Sequence, residues 1–446
     1  MNTLADRHVL VVGLATSGLA AARALIREGA VVRVTERERE PGGAAELRSL
    51  GADVRTGGHS EADLAGIELV VTSPGVPEGA PVLERARGRG IPVWSELELG
   101  ARLARVPFVA ITGTNGKSTA TEMVACAMRA AGLDAIACGN IGYPLTDAAR
   151  EPHDALAVEA SSFQLRFVET FAPLVSVLLN VAPDHLDWHG SFESYAAAKT
   201  RIFERQTGDD VHVANRGEER AAALSQGAVC RLVWFGLGEP DDGEVGYVGG
   251  ELVSLIDGEA RLGRPSRTEA GFREDAAAAA AASIAFGLDP QAVAEGLRVM
   301  RPLAHRGEVV ARAGGVTFVD DSKATNVHAT LAALRGRDRV VLIAGGVAKG
   351  VDLSPLAEAA PRLAGVVAIG EAAPEIAGIF GGLVPVRMAT SIERSVLDAL
   401  EMAPAGGTVV LAPACASWDM FTDYADRGER YAAAAREVAR ESVAGG

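Results

Sequence analysis

The sequence predicts an α/β protein of three domains, each built on a mostly parallel sheet. Apolar, strand-like runs alternate with helical segments along the chain, which is the pattern of βαβ units. Glycine turns follow several of these runs at the point where a strand passes into a helix. A length of 446 residues is too great for one ordinary domain. We expect a Rossmann-like domain at 1–97, a P-loop ATPase-like domain at 98–302 and a second Rossmann-like domain at 303–446.

Composition limits the possible classes of function. The formal net charge of −15 opposes general attraction to nucleic acid or to an anionic membrane. The four cysteines show neither CxxC spacing nor a histidine cluster, which indicates reduced thiols rather than a zinc site. No signal segment follows Met1, and no apolar run is long enough to span a membrane. We therefore expect a cytoplasmic protein without a nucleic-acid partner or membrane insertion. We also expect a monomer.

The first domain opens with a βαβ pattern. An apolar strand at 8–12 leads into the turn at 13–18, a helix at 19–27 and a second strand at 31–35. This order is typical of nucleotide-binding domains. Ala15 replaces the middle glycine of the dinucleotide fingerprint, so the pattern favours a dehydrogenase only weakly. A tight βα turn without a ligand is the alternative.

The central domain contains the most informative motif, a strand, a glycine loop and a helix. The apolar run at 108–112 stops at Gly113, and a helical pattern at 118–131 begins just after Lys117. Backbone N–H groups and the dipole at the start of a helix attract phosphate groups. Lys117 adds a cation for these phosphates, and the hydroxyl of Ser118 can ligate Mg²⁺. The loop therefore predicts a binding site for a nucleoside triphosphate.

Three further polar residues of the central domain are candidates for the same site. Glu159 ends a strand at 155–158, where a carboxylate can hold Mg²⁺ directly or through water. His185 follows a strand at 175–179, at the sheet edge where α/β proteins bind ligands. Lys199 lies among small and apolar residues. Taken singly, Glu159 could start a helix and Lys199 could be a solvent-exposed helix lysine.

In the third domain, three polar loops follow strands. They are Asp320-Asp-Ser-Lys-Ala-Thr-Asn326, Gly345-Gly-Val-Ala-Lys349 and Ala412-Pro-Ala-Cys-Ala-Ser-Trp-Asp-Met-Phe421. Each loop alone could be an ordinary βα turn. Three polar loops at equivalent strand ends instead indicate a shared cleft.

Several motifs together resemble the Mur ligases of the Mur ligase and folylpolyglutamate synthase superfamily. The resemblance rests on Gly113-Thr-Asn-Gly-Lys-Ser-Thr119, Glu159-Ala-Ser-Ser-Phe-Gln-Leu165, residues 180–187 and Ala198-Lys199. It implies an ATP-dependent amide ligase that activates a carboxylate as an acyl phosphate. The block at 320–326 favours the branch that adds D-glutamate to UDP-N-acetylmuramoyl-L-alanine in peptidoglycan precursor synthesis.

The resemblance also implies cofactors and site residues. The cofactors are ATP, two Mg²⁺ ions and a CO₂-derived carbamate on the lysine at 199, since CO₂ reacts with the neutral amine of a buried lysine. The implied catalytic residues are Lys117, Glu159, His185 and Lys199. The implied ATP-binding residues are Gly113, Thr114, Asn115, Gly116, Lys117, Ser118, Thr119, Asp275, Arg306 and Asp321. The implied metal ligands are Ser118, Glu159, His185 and Lys199.

The two substrates have their own implied contacts. The UDP-linked substrate would contact Ser17, Glu36, Arg37, Ser73 and Asn140. The incoming amino acid would contact His185, Lys323, Thr325, Lys349, Ser417, Trp418 and Tyr424. The two lysines and the three hydroxyl groups in this set suit a dicarboxylate, because each carboxylate is bound best by charge-assisted donors.

The sequence departs from the family pattern at a few positions, and alternatives remain. Asp275 stands where the family has an adenine-contacting Asn, the loop ending at Lys349 lacks a frequent acidic residue, and Trp418 replaces a frequent Leu. Another Mur-type amino-acid ligase is disfavoured by residues 323–326, and a folylpolyglutamate synthase-like ligase by the additional N-terminal domain. A non-catalytic nucleotide-binding regulator would require the placement of all the catalytic candidates to be coincidental.

Overall fold

The structure, a computed structural model, describes residues 4–444. Within this part the chain forms two compact units. The first unit comprises residues 4–181, 188–266 and 273–300, and the second comprises 182–187, 267–272 and 301–444. Three mostly parallel sheets with helices between their strands confirm the α/β class that the sequence predicts.

The first sheet has five strands, all parallel. They are β1 (His8–Val12), β2 (Val31–Glu36), β3 (Asp53–Thr56), β4 (Leu69–Thr72) and β5 (Val93–Ser95). Their order in the sheet is β3-β2-β1-β4-β5. The helices are α1 (Thr16–Arg27), α2 (Ala44–Ser49), α3 (Pro81–Gly88) and α4 (Glu96–Leu103), with a 3₁₀ helix at Glu61–Leu64. Strand order reverses between β1 and β4, so the loops after these strands border a crevice at the carboxyl edge.

The second sheet has nine strands. They are β6 (Phe108–Thr112), β7 (Ala135–Gly139), β8 (Ala155–Glu159), β9 (Val175–Leu178), β10 (Val211–Asn215), β11 (Arg231–Phe235), β12 (Val245–Val248), β13 (Glu251–Ser254) and β14 (Ala260–Gly263). Their order is β14-β13-β12-β11-β10-β9-β6-β8-β7. The pairs β12–β13 and β13–β14 are antiparallel, and the other pairs are parallel.

Eight helices lie between or after the strands of this sheet in the described chain. They are α5 (Lys117–Ala130), α6 (Leu145–Ala148), α7 (Ser162–Leu165), α8 (Leu186–His189), α9 (Phe192–Thr200), α10 (Glu219–Ser225), α11 (Ala270–Ala285) and α12 (Pro290–Val299). All five residues of β6 and all five of β8 are buried. Strands that are buried on both faces read as continuous apolar runs, which is why the sequence located them. In the register between them, Ile111 lies opposite Glu159.

The third sheet lies in the second unit and has six strands. They are β15 (Glu308–Ala313), β16 (Val316–Asp320), β17 (Val340–Gly345), β18 (Leu363–Ile369), β19 (Val386–Ala389) and β20 (Thr408–Leu411), in the order β15-β16-β20-β17-β18-β19. Only β15 pairs antiparallel. The helices are α13 (Val327–Leu334), α14 (Ala373–Phe380), α15 (Ile392–Met402) and α16 (Tyr424–Ala444), with a 3₁₀ helix at Ser354–Arg362. Because β20 lies between β16 and β17, the loops after these three strands are neighbours.

Two findings concern the thiols and the membrane. All four cysteines are free, and Cys138, Cys230 and Cys415 are buried. Burial raises the pKa of the Cys415 thiol to about 12, so this thiol stays protonated at neutral pH. Within residues 4–444, none of the helices combines the length and the apolar character needed to cross a membrane.

Candidate active site

The predicted phosphate loop joins β6 to α5 in the first unit. Gly116 precedes the helix with a φ of 86°, and a Cβ at this position would lie 2.1 Å from Oδ1 of Asp275. Glycine is therefore required by both the backbone conformation and the close neighbour. The Nζ of Lys117 donates to the carbonyl oxygens of Gly113 at 2.9 Å and Thr114 at 3.0 Å. These two bonds hold the ammonium group over the loop.

Asn180, at the end of the strand next to β6, fixes the shape of this loop. Its Oδ1 accepts the backbone N–H groups of Thr114 at 3.1 Å and Asn115 at 2.9 Å. Its Nδ2 donates to the carbonyl oxygen of Asn115 at 3.2 Å. The hydroxyl of Thr114 lies 2.9 Å from that of Tyr195. Sequence reasoning assigned no role to Asn180 or Tyr195, although Asn180 lies in a motif that carried the family resemblance.

Glu159 lies at the end of β8 and is nearly inaccessible to solvent. Its Oε1 accepts Nδ2 of Asn140 at 2.7 Å. Its Oε2 is buried, and none of the described residues donates a hydrogen bond to it. A buried carboxylate oxygen without a donor is costly unless a cation neutralises it. The arrangement therefore fits the predicted metal ligand, and it places Asn140 beside Glu159.

Lys199, on α9, lies at the same loop. The side chain is almost completely buried, and its Nζ donates to the carbonyl oxygen of Gly113 at 2.7 Å. The ammonium group also lies 4.6 Å from the ring centroid of Tyr195. This position rules out the alternative of a solvent-exposed helix lysine. Lys117, Glu159 and Lys199 thus all belong to the edge of the second sheet where β6 and β8 end.

A cavity of about 760 Å³ opens at the carboxyl edge of the first sheet. Four of the five residues predicted to contact the UDP-linked substrate line it, namely Ser17, Glu36, Arg37 and Ser73. Tight packing shapes the glycine turn at its base, because a Cβ on Gly18 would lie 1.9 Å from the carbonyl oxygen of Gly13. The hydroxyl of Ser73 donates to the same oxygen at 3.0 Å.

The carboxylate of Glu36 fixes the turn at the base of this cavity. Its Oε2 accepts the backbone N–H of Leu14 at 2.6 Å, and its Oε1 accepts those of Arg37 and Glu38. Burial disfavours the ionised carboxylate, but these three N–H groups outweigh burial and lower the pKa of Glu36. Glu36 therefore remains ionised and holds the turn after β1 to the end of β2.

In the second unit, a buried ion pair lies among the residues predicted to bind the amino acid. The Nζ of Lys349 donates to Oδ1 of Asp184 at 2.7 Å, and Nδ2 of Asn326 donates to Oδ2 at 3.0 Å. Burial opposes ionisation of Asp184, but the charge of Lys349, helped by His185, lowers the pKa of this carboxyl. The backbone N–H of His185 also donates to Asp184 at 2.9 Å. Asp184 therefore positions Lys349 and the His185 segment.

Left-handed backbone conformations cluster at these loops. His185 has a φ of 53°, Lys349 a φ of 57° and Ala414 a φ of 61°. Such values cost energy for residues with a Cβ and are retained where the surrounding structure enforces them, often at functional sites. Their occurrence in three segments of one unit supports the prediction of a functional cleft at this sheet edge.

The remaining predicted amino-acid contacts lie on the loops after β16 and β20. The Nζ of Lys323 lies 3.7 Å from the ring centroid of Tyr424, a close cation–π contact. Ser417 is buried, whereas Trp418 is 66% exposed. A short antiparallel bridge between residues 347 and 416 joins the loop after β17 to the loop after β20. Thr325 is partly buried on the loop that carries Lys323.

Arg427, on α16, connects the loops after β16, β17 and β20. Its guanidinium group donates to the carbonyl oxygens of Ser322 at 2.9 Å, Cys415 at 3.2 Å and Gly345 at 3.5 Å, and to the Ser322 hydroxyl at 3.0 Å. The side chain is fully buried. Burial lowers the pKa of Arg427 to about 10, so the group stays charged at neutral pH. Its planar set of donors suits a connection to several carbonyl groups.

The two predicted nucleotide contacts of the second unit belong to one charged cluster. Burial raises the pKa of Asp321 to about 7, although the positive charge of Arg306 opposes this shift. Arg267 donates to the carbonyl oxygen of Arg306 at 2.6 Å and to that of Gly307 at 3.1 Å. It also forms an ion pair with Glu269 at 2.9 Å. This cluster orders the segment that precedes β15.

Comparison with known proteins identifies the family. Residues 7–95 match the MurD-like N-terminal domain of Mur ligases, 111–250 the Mur ligase middle domain, and 305–415 the glutamate ligase domain of Mur ligases. A curated UDP-N-acetylmuramoylalanine–D-glutamate ligase of Frankia casuarinae is 46% identical over 444 residues, covering 96% of this chain and 93% of that protein. The chain belongs to the Mur ligase family. The family resemblance noted in the sequence is thus confirmed.

Other relatives and solved structures agree with this membership. A Streptomyces avermitilis protein with the same name is 42% identical, covering 98% of this chain and 99% of that protein. The MurF ligase of Thermotoga maritima, solved in complex with ADP, has a TM-score of 0.61 at 16% identity, with 99% of both chains covered. A pseudomurein peptide ligase type C of Methanothermus fervidus has a TM-score of 0.62 at 18% identity, covering 98% and 100%. At these identities the two structures show a shared fold.

Proposed function

We propose that this Mur ligase joins D-glutamate to UDP-N-acetylmuramoyl-L-alanine at the expense of ATP, as a cytoplasmic step of peptidoglycan precursor synthesis. The observation that carries the proposal is the name shared by relatives that match over nearly their whole length at 39% to 46% identity. The glutamate ligase domain pattern at residues 305–415 supports the same substrate. The cavity of the first sheet would hold the UDP portion, as in nucleotide-binding domains with this strand order.

ATP is the phosphoryl donor in this proposal. The loop after β6 presents backbone N–H groups at the start of α5, where the helix dipole favours phosphate. Lys117 lies over this loop, so its ammonium group can follow the phosphoryl group as it moves to the acceptor. ADP in the related MurF structure supports ATP use by this fold.

The donor set near the phosphate loop fits Mg²⁺. Glu159 offers a buried oxygen that receives no hydrogen bond from residues 4–444, and Ser118 lies in the first turn of α5 beside the loop. Within residues 4–444, no three His, Cys, Asp or Glu side chains converge on a common metal position. The remaining oxygens would therefore come from the nucleotide, from water and from a carbamate on Lys199. Bound Mg²⁺ would reduce the repulsion between the ATP phosphates and the acceptor carboxylate.

The reaction proceeds in two steps. An oxygen of the L-alanyl carboxylate attacks the γ-phosphorus of ATP, which yields an acyl phosphate and ADP. The neutral amine of D-glutamate then attacks the acyl carbon, loses a proton and expels inorganic phosphate from the tetrahedral intermediate. Activation is needed because phosphate is a far better leaving group than the oxide of a free carboxylate. Exclusion of water protects the acyl phosphate from hydrolysis.

The three polar loops of the second unit would bind D-glutamate. Lys323 and Lys349 supply positive charge, while Thr325, Ser417 and Tyr424 supply hydroxyl groups. Although Lys349 is paired with Asp184, an ammonium group has three N–H donors and can also bind a substrate carboxylate. The buried Asp184 sets the direction of the Lys349 side chain before substrate arrives.

A phosphate-release assay tests this proposal. The protein is supplied with Mg²⁺, ATP and UDP-N-acetylmuramoyl-L-alanine and challenged with D-glutamate, L-glutamate, L-lysine and diaminopimelate. A parallel reaction supplies UDP-N-acetylmuramate with L-alanine. Phosphate release that depends on D-glutamate, with formation of the amide product, is the expected result, and Lys117→Ala serves as the inactive control. Preference for a diamino acid, or for L-alanine with UDP-N-acetylmuramate, would assign a different Mur-type activity. Absence of ATP turnover with every pair of substrates would support the alternative of a non-catalytic nucleotide-binding protein.

A further inference from the structure

His59 lines the cavity of the first sheet, and the family motifs give it no role. It follows β3 in a short segment that is attached to the end of β2. The backbone N–H of Gly57 donates to the carbonyl oxygen of Glu38 at 3.2 Å, and that of Gly58 donates to the carbonyl oxygen of Glu36 at 3.0 Å. The imidazole is therefore held beside the residues that end β2.

The hydrogen bonds around His59 determine which ring nitrogen carries the proton. Nδ1 lies 3.0 Å from the hydroxyl of Thr35, a residue with no exposed surface. Among residues 4–444, this hydroxyl has no other acceptor. Because a buried hydroxyl proton without an acceptor is costly, Thr35 donates to Nδ1. In the neutral ring the proton then lies on Nε2, which has no hydrogen-bond partner among these residues.

The charge of the ring also follows from its surroundings. Burial lowers the pKa of His59 below its ordinary value of 6.5, although the carboxylates of Glu36 and Asp63 act in the opposite direction. The ring is therefore neutral at neutral pH, with one N–H donor and no net charge. Such a donor suits an uncharged carbonyl oxygen better than a phosphate group.

The cavity walls divide into two kinds of surface. The glycine turn after β1 and the first residues of the twelve-residue helix α1 form one side, which suits the diphosphate. Another side is apolar and consists of Pro74, Val76, Pro77, Ala80 and Pro81. An apolar lining with a few fixed polar groups is the usual environment of a ligand group such as a nucleobase.

We propose that the Nε2–H group of His59 donates a hydrogen bond to a carbonyl oxygen of the uracil base of the UDP-linked substrate. His59 would thus be a specificity-determining residue for a pyrimidine-dione base. The proposal rests on the proposed function, because uracil reaches the cavity only as part of that substrate. Glu36 cannot replace His59 in this task, because its ionised carboxylate has no proton to donate and only accepts, here from three backbone N–H groups.

Steady-state kinetics of His59→Phe and His59→Gln test the assignment. Phe keeps the ring shape without a donor, whereas the Gln amide can place a donor near the position of Nε2. For His59→Phe the KM for UDP-N-acetylmuramoyl-L-alanine should rise roughly 3- to 10-fold, the usual effect of one neutral hydrogen bond. The kcat and the KM for ATP should not change, and His59→Gln should recover part of the loss. Glu61→Ala, on the same segment and outside the cavity lining, is the control.

A measurement on the wild-type protein keeps the test valid if a variant folds poorly. Long-range ¹H–¹⁵N spectra report the tautomer of each of the eight histidines, and His59→Gln assigns the signal of interest. UDP should shift the Nε2 signal of His59, whereas inorganic pyrophosphate should not. An unmoved signal with saturating UDP, an equal shift with pyrophosphate, or an unchanged KM in both variants would overturn the proposal. If the wild-type protein does not ligate the substrate at all, the proposed function fails instead.

Discussion

The ion pair between Asp184 and Lys349 should behave as a coupled buried pair whose loss weakens the loops of the third sheet. The two side chains are only 6% and 4% exposed, so water screens their interaction little. Removal of one partner from a buried pair leaves the other charge uncompensated, at a cost of about 3–5 kcal/mol. We therefore expect a loss of this size for Asp184→Asn and for Lys349→Met.

The double variant gives the decisive comparison. In Asp184→Asn with Lys349→Met neither charge remains, so its cost should fall below the sum of the single costs by roughly 1–3 kcal/mol. Hydrogen exchange at increasing urea concentration, followed in peptides that cover β17 and the loop after it, measures the local free energy of opening. Strictly additive costs, or single costs below about 1 kcal/mol, would refute the assignment of a buried, coupled pair.

Three further predictions concern other buried groups. Burial raises the pKa of Glu96 to about 7 from 4.5, so the contribution of Glu96 to stability should be greatest below about pH 4.5 and fall by about 3 kcal/mol as the pH rises to about 7. Urea unfolding of the wild type and of Glu96→Gln at several pH values isolates this contribution, and a stability difference between the two that does not change with pH would contradict it. Arg427→Lys keeps the charge but loses the donors that connect three loops, so the KM for D-glutamate should rise on the order of 10-fold or more while that for the UDP-linked substrate stays constant. A carbamate on Lys199 requires that removal of bicarbonate lowers turnover and that Lys199→Arg abolishes the bicarbonate dependence. Full activity without CO₂, together with no carbamate signal in ¹³C spectra, would exclude carbamylation of Lys199.

Strands that are buried on both faces were predictable from the sequence. The bounds of β1 and β6 agree with the apolar runs at 8–12 and 108–112. The sequence pattern predicts the start of α1 at residue 19, whereas the helix begins at Thr16. The reason is Gly18, which reads as a turn residue in the sequence. In the structure it lies inside the helix, where any Cβ would collide with the carbonyl oxygen of Gly13.

Side-chain partners across long sequence distances were not predictable. Asp184 and Lys349 are 165 residues apart, and nothing in either segment indicates that they pair. Arg427 is similar, because its contacts with three separate loops depend on how those loops stack at one sheet edge. Residues in motifs near glycine turns, such as Lys117 and Glu159, were easier to predict, since local geometry determines where they lie. Sequence therefore indicated the candidate site, but not the buried groups that hold it in place.

Transfer of an oxygen atom from substrate to phosphate tests the central claim most directly. UDP-N-acetylmuramoyl-L-alanine labelled with ¹⁸O in the L-alanyl carboxylate is ligated to D-glutamate with unlabelled ATP, and the inorganic phosphate is analysed by ³¹P NMR or mass spectrometry. An acyl phosphate intermediate requires that each phosphate released during ligation carries one ¹⁸O atom from the carboxylate. Phosphate without ¹⁸O, formed together with the amide product, would contradict activation of the carboxylate by phosphoryl transfer.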